Sequence, residues 1–216
     1  MEPSKYPGEA EMEFLTPANV AAVVVATLCA LLIAATWSDI KRYRIPNTLV
    51  YGGAVLGLLF NCFLPEGNGF ASALPGALGL RMALYGLGLG LAIMLPLYAL
   101  HIVGAGDAKL ITMIGAFLGP HAIVYVIAFM MLTGGLLAIG FTLYSGSFGR
   151  MLRNLQTMLL ASYFKASLHE APVLDAVPDS AGRLPYASAI TLGTFIYLGL
   201  AALGHRDVFY FYSWSR

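Results

Sequence analysis

The chain has 216 residues, of which 59% are hydrophobic and only 11% are charged, and its mean hydropathy is +0.77. This composition excludes an ordinary soluble domain, and a net charge of +1 gives no reason to expect a nucleic-acid partner. Long apolar runs are present and a pattern of short alternating strands is not. We therefore expect an all-α, polytopic membrane protein built as one membrane domain.

The N-terminal residues 1–17 are acidic and lack the basic start of a signal peptide, so we expect a flexible tail that is retained. Cys29 and Cys62 both lie in apolar runs and form no CxxC pair. They are expected to be small buried hydrophobic residues, and no metal or other cofactor is expected.

The apolar runs predict about six transmembrane helices between residues 18 and 204, followed by a short C-terminal tail, 205–216. The predicted spans are 18–37, 48–64, 78–100, 108–118, 121–144 and 187–203. The fourth is about 16 Å long as a helix, which is too short to cross a bilayer alone. It must extend past Gly119-Pro120 or begin inside the hydrocarbon layer, and the second option would place Asp107 in irregular backbone that lines a cavity.

The segment 145–185 separates the last two spans. Its apolar side chains recur on one helical face, whereas Arg150 and Arg153 lie elsewhere on the helix. This pattern predicts an amphipathic helix in the membrane interface, and a helix packed on the bundle is an equal alternative.

Lysine and arginine predict the orientation. With the N-terminus outside, the inner loops hold eight of these cations and the outer side four. The inner eight are Lys41, Arg42, Arg44, Lys109, Arg150, Arg153, Lys165 and Arg183. Asp39 and Asp107 then both lie at cytoplasmic ends of helices.

Asp39 and Asp107 are the chemically informative residues of the first half, since each stands at the edge of an apolar run. A carboxylate there costs several kcal/mol unless it is hydrated, paired or protonated, so it is by default a functional-site hypothesis. Two such groups held a few ångströms apart share one proton. An aspartic protease needs this arrangement: one carboxylate takes a proton from water while its neutral partner donates to the peptide carbonyl.

The residues around these acids have expected roles as well. Gly104 and Gly106 are expected to adopt backbone conformations closed to other residues and to let a substrate strand approach Asp107. Pro46 predicts a firm turn that fixes the start of the next helix. Lys109 points to a different helical face from Asp107 and is expected to snorkel to the inner surface.

Two motifs carry a family resemblance. Asp39 is followed six residues later by Ile45-Pro46-Asn47, and Gly104-Ala105-Gly106-Asp107-Ala108-Lys109-Leu110 comes after the third span. Together they resemble the type IV prepilin peptidase family, bacterial inner-membrane aspartic proteases of the GxGD kind. Leu184-Pro185-Tyr186-Ala187 is similar to the proline-containing start of the family's final helix.

The resemblance implies that Asp39 and Asp107 are the catalytic pair. It implies motif or substrate-positioning roles for Gly104, Gly106, Lys109, Ile45, Pro46, Asn47 and Pro185. The implied substrates are prepilins or pseudopilins, cut after a glycine at the cytoplasmic face, and the implied partners are membrane lipid and a pilus or secretion assembly. Because the cysteine pairs of the methylating members are missing, we expect peptidase activity without N-methylation, as in the short members that serve Flp-type pili.

Other functions stay open at this point. Asp39 alone could be a hydrated helix-end residue, and Asp107 alone could be the N-cap of a helix starting at Ala108. Another GxGD protease, of the preflagellin or presenilin kind, is the enzymatic alternative. A transporter or a non-enzymatic membrane subunit would also carry acids in the membrane. The sequence identifies neither the pilin nor the oligomeric state.

Overall fold

A computed structural model describes residues 16–72, 75–100, 102–146 and 186–203, and residues 149, 152, 153, 156, 157 and 160. These parts of the chain are all-α, as predicted, with five helices: α1 (Pro17–Arg42), α2 (Asn47–Phe63), α3 (Leu80–Ala99), α4 (Ala105–Tyr144) and α5 (Tyr186–Ala202). Three of them, α1, α3 and α4, are long and apolar enough to cross a membrane. With 17 residues each, α2 and α5 are shorter. The count of six spans stays a prediction.

The predicted fourth and fifth spans form the single element α4, which is broken in the middle. Gly119 has φ 80° and ψ −179°, a backbone conformation that strains any residue with a side chain, and Pro120 has no N–H to continue the helical ladder. We call residues 105–118 the first limb and residues 120–144 the second limb.

The two limbs fold back toward each other. A Cβ atom added to Gly90 would lie 3.3 Å from the carbonyl oxygen of Ile111 and 3.4 Å from Cγ1 of Ile123. In one straight helix those two residues would be about 18 Å apart along the axis. The chain therefore turns back at Gly119-Pro120 and does not continue straight. Asp107 lies in the first helical turn, so the expectation of irregular backbone around it is wrong, whereas the depth of Asp107 in the membrane stays a prediction.

The first limb is the centre of the bundle. Five of its large apolar side chains have no exposed surface: Leu110, Ile111, Met113, Ile114 and Phe117. Helix α3 approaches the first limb so closely that the backbones of Gly86 and Gly115 touch where side chains would otherwise lie. Small residues at a helix crossing allow this approach, which suits a membrane bundle held by van der Waals packing.

Hydroxyl groups attach α5 to its two neighbours. The Oγ1 atoms of Thr36 in α1 and Thr191 in α5 lie 2.7 Å apart, and Oγ1 of Thr191 is also 3.4 Å from the carbonyl oxygen of Leu32. On the other side, Thr133 in the second limb donates to the carbonyl of Ala189 at 2.9 Å. Such interhelical hydrogen bonds stabilise helices in an apolar surrounding.

Asn61 links the far part of α2 to the end of the first limb. Its Nδ2 donates to the carbonyls of Ala116 at 3.0 Å and Phe117 at 3.2 Å, and its Oδ1 accepts the N–H of Leu78 at 2.9 Å. Pro120, the residue whose N–H would bond the carbonyl of Ala116 in a continuous helix, has no N–H, so Asn61 supplies a donor there and acts as a cap of the first limb.

The bundle thus has two distinguishable ends. At the site end, the C-terminus of α1 meets the N-termini of α2, α4 and α5, as shown below. At the opposite end, Asn61, Leu78 and Gly119 lie together. The basic residues Lys41, Arg42, Arg44 and Lys109 fall at the site end, on the same side as each other, as the sequence predicts.

Three expected regions lie wholly or mostly outside the described residues: the tail 1–17, of which Thr16 and Pro17 are described, the segment 145–185, and the tail 205–216. At the six isolated described positions between 149 and 160 the chain is helical, which agrees with a helix there. The interfacial position of that helix stays a prediction.

Candidate active site

Asp39 lies one turn before the end of α1, and only 8% of it is exposed. Its Oδ2 accepts the backbone N–H of Ala187, in the first turn of α5, at 3.2 Å. Tyr43, the residue after α1, caps the helix: its φ of 48° is left-handed, and its N–H donates to the carbonyl of Asp39 at 2.7 Å. The side chain of Asp39 is therefore held by a helix remote in sequence.

Asp107 is the third residue of α4 and is also 8% exposed. Its Oδ2 accepts the backbone N–H of Gly104 at 3.3 Å, while the carbonyl of Gly104 accepts the N–H of Ala108 at 3.1 Å. Gly104 is thus the N-cap of α4, and the alternative that made Asp107 the N-cap of a helix from Ala108 is wrong. Asp107 closes the first helical turn instead, as acidic residues at this position commonly do.

The carboxylates of Asp39 and Asp107 lie near enough for the charge of one to act on the other. Each is nearly buried, and each has one oxygen bonded to a backbone N–H. Two carboxyl groups in such a place hold a proton between them more readily than they hold two negative charges. The pair can therefore act as a donor and an acceptor of protons at the same time.

The turn between α1 and α2 connects the two sequence motifs. Ser38 Oγ donates to the carbonyl of Arg44 at 2.9 Å, and Pro46, with φ −63° and ψ 129°, stands immediately before the first residue of α2. The predicted firm turn is confirmed. Ile45 packs against Gly106, where an added Cβ atom would meet Ile45 side-chain atoms at 3.4–3.6 Å.

A polar contact ties the same motifs together at the helix starts. Lys109 Nζ donates to Oδ1 of Asn47 at 3.1 Å and lies 5.3 Å from the centre of the Tyr51 ring. Lys109 thus links the N-terminus of α4 to that of α2. This interhelical role was not predicted from the sequence.

The two motif glycines matter because they have no side chain, which leaves room for neighbouring side chains. The expectation that they adopt unusual backbone conformations is wrong. Gly104 has φ −73° and ψ 152°, which any residue can adopt, and Gly106 lies in the helix. A Cβ atom on Gly104 would lie 2.9 Å from Oδ2 of Asp107, which is too close without movement of that carboxylate. Gly104 therefore leaves room for the side chain of Asp107.

Of the predicted site residues, the structure brings together Asp39, Asp107, Gly104, Gly106, Ile45, Pro46, Asn47 and Lys109 at one end of the bundle. Pro185 lies outside the described residues. The sequence did not indicate the contact from Ala187, because a backbone N–H leaves no compositional trace. A hydroxyl within an apolar run, as at Thr36, is a sequence signal for a contact between helices.

The described residues contain no group of three or more His, Cys, Asp or Glu side chains that could hold a metal ion. Every fully buried side-chain nitrogen or oxygen in this part of the chain has a hydrogen-bond partner.

The family model of the type IV leader peptidase family matches residues 26–139, from the middle of α1 to the second limb of α4. This range includes both aspartates and both motifs around them. Searches of curated proteins and of solved structures gave no match. The family match extends over more than half of the sequence, and the chain belongs to the type IV leader peptidase family.

Proposed function

We propose that this protein is an intramembrane aspartic endopeptidase that removes the leader peptide from type IV prepilins or pseudopilins, with Asp39 and Asp107 as its catalytic pair. The observation that carries the proposal is the electrostatic interaction between these two nearly buried carboxylates, which lie on helices far apart in sequence. Either acid alone has a structural explanation, but a structural role gives no reason for their charges to interact.

The reaction follows from a shared proton. The ionised carboxylate takes a proton from a water molecule, and the resulting oxygen nucleophile attacks the carbonyl carbon of the scissile peptide. The neutral carboxyl group donates its proton to the carbonyl oxygen. When the tetrahedral intermediate collapses, the C–N bond breaks and the proton taken from water passes to the leaving amine. The carboxylate that donated to the carbonyl oxygen takes a proton back from a hydroxyl of the intermediate, so the pair returns to its starting charge.

The proposed substrate is a basic leader joined through a glycine to an apolar helix, and the proposed place is the cytoplasmic side of a bacterial inner membrane. Support comes from the basic residues at the site end, because Lys41, Arg42 and Arg44 follow the first span. A substrate with an apolar helix would share the bilayer with α1 to α5 and would expose only its leader junction at the interface.

We also propose that the protein acts without N-methylation and belongs with the short members that serve Flp-type pili. This rests on the absence from the sequence of cysteine pairs: its two cysteines, Cys29 and Cys62, stand alone in separate helices. The assembly machinery that receives the processed pilin would be the further partner.

The test is mass spectrometry of the N-terminus of a candidate prepilin produced with and without this protein in a host that lacks its own prepilin peptidase. We expect cleavage after the glycine, an unmodified new N-terminus, and unchanged cleavage in the presence of a chelator. A cut at another kind of sequence would favour the preflagellin- or presenilin-like alternative. No cleavage of any prepilin by the membrane-inserted protein would favour a transporter or a non-enzymatic subunit.

A further inference from the structure

The first turn of α5 contacts Asp39 directly, although it lies beyond residues 26–139, the part that matches the family. Ala187 is fully buried, and its backbone N–H donates to Oδ2 of Asp39 at 3.2 Å. Since α5 begins at Tyr186, this N–H belongs to the first helical turn, whose donors have no partners within the helix. The carboxylate of Asp39 supplies that partner.

The same turn of α5 is fixed to α1 by side chains on the face of Asp39. Thr36 is three residues before Asp39 and so shares its face. Its Oγ1 donates to the carbonyl of Ala187 at 3.3 Å and lies 2.7 Å from Oγ1 of Thr191. Ala187 is thus hydrogen-bonded to α1 through both its carbonyl and its N–H. These two bonds fix the axial position of α5 relative to α1.

We propose that the N–H of Ala187 is a positioning group for the catalytic pair, because it holds the carboxylate of Asp39 in one orientation toward Asp107. Thr36 and Thr191 fix the axial position of α5 relative to α1, so that the Ala187 N–H can reach Asp39. This inference rests on the proposed peptidase function. It assigns a role in the site to a helix outside the matched family region.

The alternative is that the contact only stabilises the fold. Two properties separate the possibilities. Loss of a purely structural bond lowers the amount or the thermal stability of the enzyme and leaves the turnover of the folded fraction unchanged. Loss of a positioning bond lowers kcat of the folded enzyme with little change in KM, because an apolar substrate helix binds elsewhere while the reacting groups are misaligned.

The test is Ala187→Pro, which removes this N–H and adds a proline ring in the first helical turn, where proline is tolerated. Tyr186→Pro is the matched control, since it adds the same ring one residue earlier and leaves the Ala187 N–H in place. We expect kcat of Ala187→Pro to fall about 10- to 100-fold, the usual effect of losing a hydrogen bond to a charged group, with KM within about twofold. Tyr186→Pro should stay near the wild type.

A second pair covers the case in which Ala187→Pro does not fold. Thr36→Val removes the hydroxyl and keeps the shape, whereas Thr36→Ser restores the hydroxyl. We expect Thr36→Val to lower kcat and to alter the pH profile of kcat, and Thr36→Ser to restore both. The inference is overturned if Ala187→Pro matches Tyr186→Pro in kcat, or, where it does not fold, if Thr36→Val matches Thr36→Ser.

Failure of this inference can be distinguished from failure of the proposed function. Suppose that the wild-type protein cleaves prepilin, that Asp39→Asn does not, and that Ala187→Pro keeps full kcat. The peptidase function is then supported and the positioning role of Ala187 is refuted. If the wild-type protein cleaves no prepilin, the function itself fails, and the contact between Ala187 and Asp39 is then structural.

Discussion

Lys109 and Asn47 connect the starts of two helices that carry different sequence motifs, with Nζ and Oδ1 3.1 Å apart. Because Asn47 is the first residue of α2 and Lys109 comes two residues after Asp107, the bond fixes the site-end turn relative to α4. The Tyr51 ring beside Lys109 adds a cation–π contact. The cluster is partly exposed, so its effect on overall stability should be small.

Lys109→Met should therefore lower cleavage without unfolding the protein. We expect a loss of about threefold to tenfold in kcat/KM, as suits one exposed charge-assisted hydrogen bond. Lys109→Arg should lose less, because the guanidinium can still donate to Asn47. Cleavage rates of the purified variants in detergent are the measurement, and a Met variant as fast as the wild type would contradict the linking role.

Gly104→Ala should affect activity more than Gly106→Ala. A Cβ atom on Gly104 would be 2.9 Å from Oδ2 of Asp107 and would displace that carboxylate, whereas one on Gly106 would make ordinary contacts with Ile45 at 3.4 Å or more. We expect at least about a tenfold larger loss of kcat for Gly104→Ala, since misplaced reacting groups react slowly. Both variants should insert and fold normally by thermal unfolding. An equal loss of kcat in the two variants would argue against the proposal that Gly104 leaves room for the Asp107 carboxylate.

Gly86→Ala should destabilise the bundle itself. The added methyl group would run into the backbone of Gly115, which cannot move without shifting the first limb. Overpacking of this kind costs about 1–3 kcal/mol or more. Gly88→Ala is the control on the same helix, because nothing lies within 4 Å of its added methyl group. Thermal unfolding in detergent should show a lower midpoint for Gly86→Ala alone, and similar midpoints would refute the close backbone crossing.

Asn61→Leu should destabilise the end of the bundle opposite the site. The variant leaves the carbonyls of Ala116 and Phe117 without the donors that Asn61 provides, at a cost of about 1–3 kcal/mol for each buried group. Cys62→Leu, at the neighbouring position, is the control, because Cys62 is exposed and the expectation that it is buried is wrong. Hydrogen exchange should increase around the Gly119–Pro120 break in Asn61→Leu. Unchanged protection there would contradict the capping role.

Much of this architecture could be predicted from the sequence because the informative residues act locally. Pro46 fixed the start of α2 to within one residue, since proline is favoured just before or at a helix start. The apolar runs placed both ends of α5 and the start of α1 to within one residue, whereas α1 continues five residues past the predicted end at Trp37. Asp39 and Asp107 stood out because acids are costly beside apolar runs, and the two motifs around them indicated that they should meet.

The reversal at Gly119–Pro120 could not be derived, because a short apolar run followed by Gly-Pro fits a kink, a re-entrant start or a return. The choice depends on the close packing of Gly86 and Gly115, which involves two remote helices. The role of Gly104 was misjudged for a similar reason. A glycine can be required for its backbone conformation or for the room left by its missing side chain, and only the position of the Asp107 carboxylate shows that the second applies. The Ala187 N–H has no side-chain signature at all.

The most direct test of the central claim is the cleavage rate of purified Asp39→Asn, Asp107→Asn and the double variant, with Glu66→Gln, an acid in the loop after α2, as the matched control. Because the two carboxyl groups act as one unit, each single variant should lose as much activity as the double variant, to the uncatalysed rate. Glu66→Gln should cleave like the wild type. Substantial cleavage by either single variant would contradict the account.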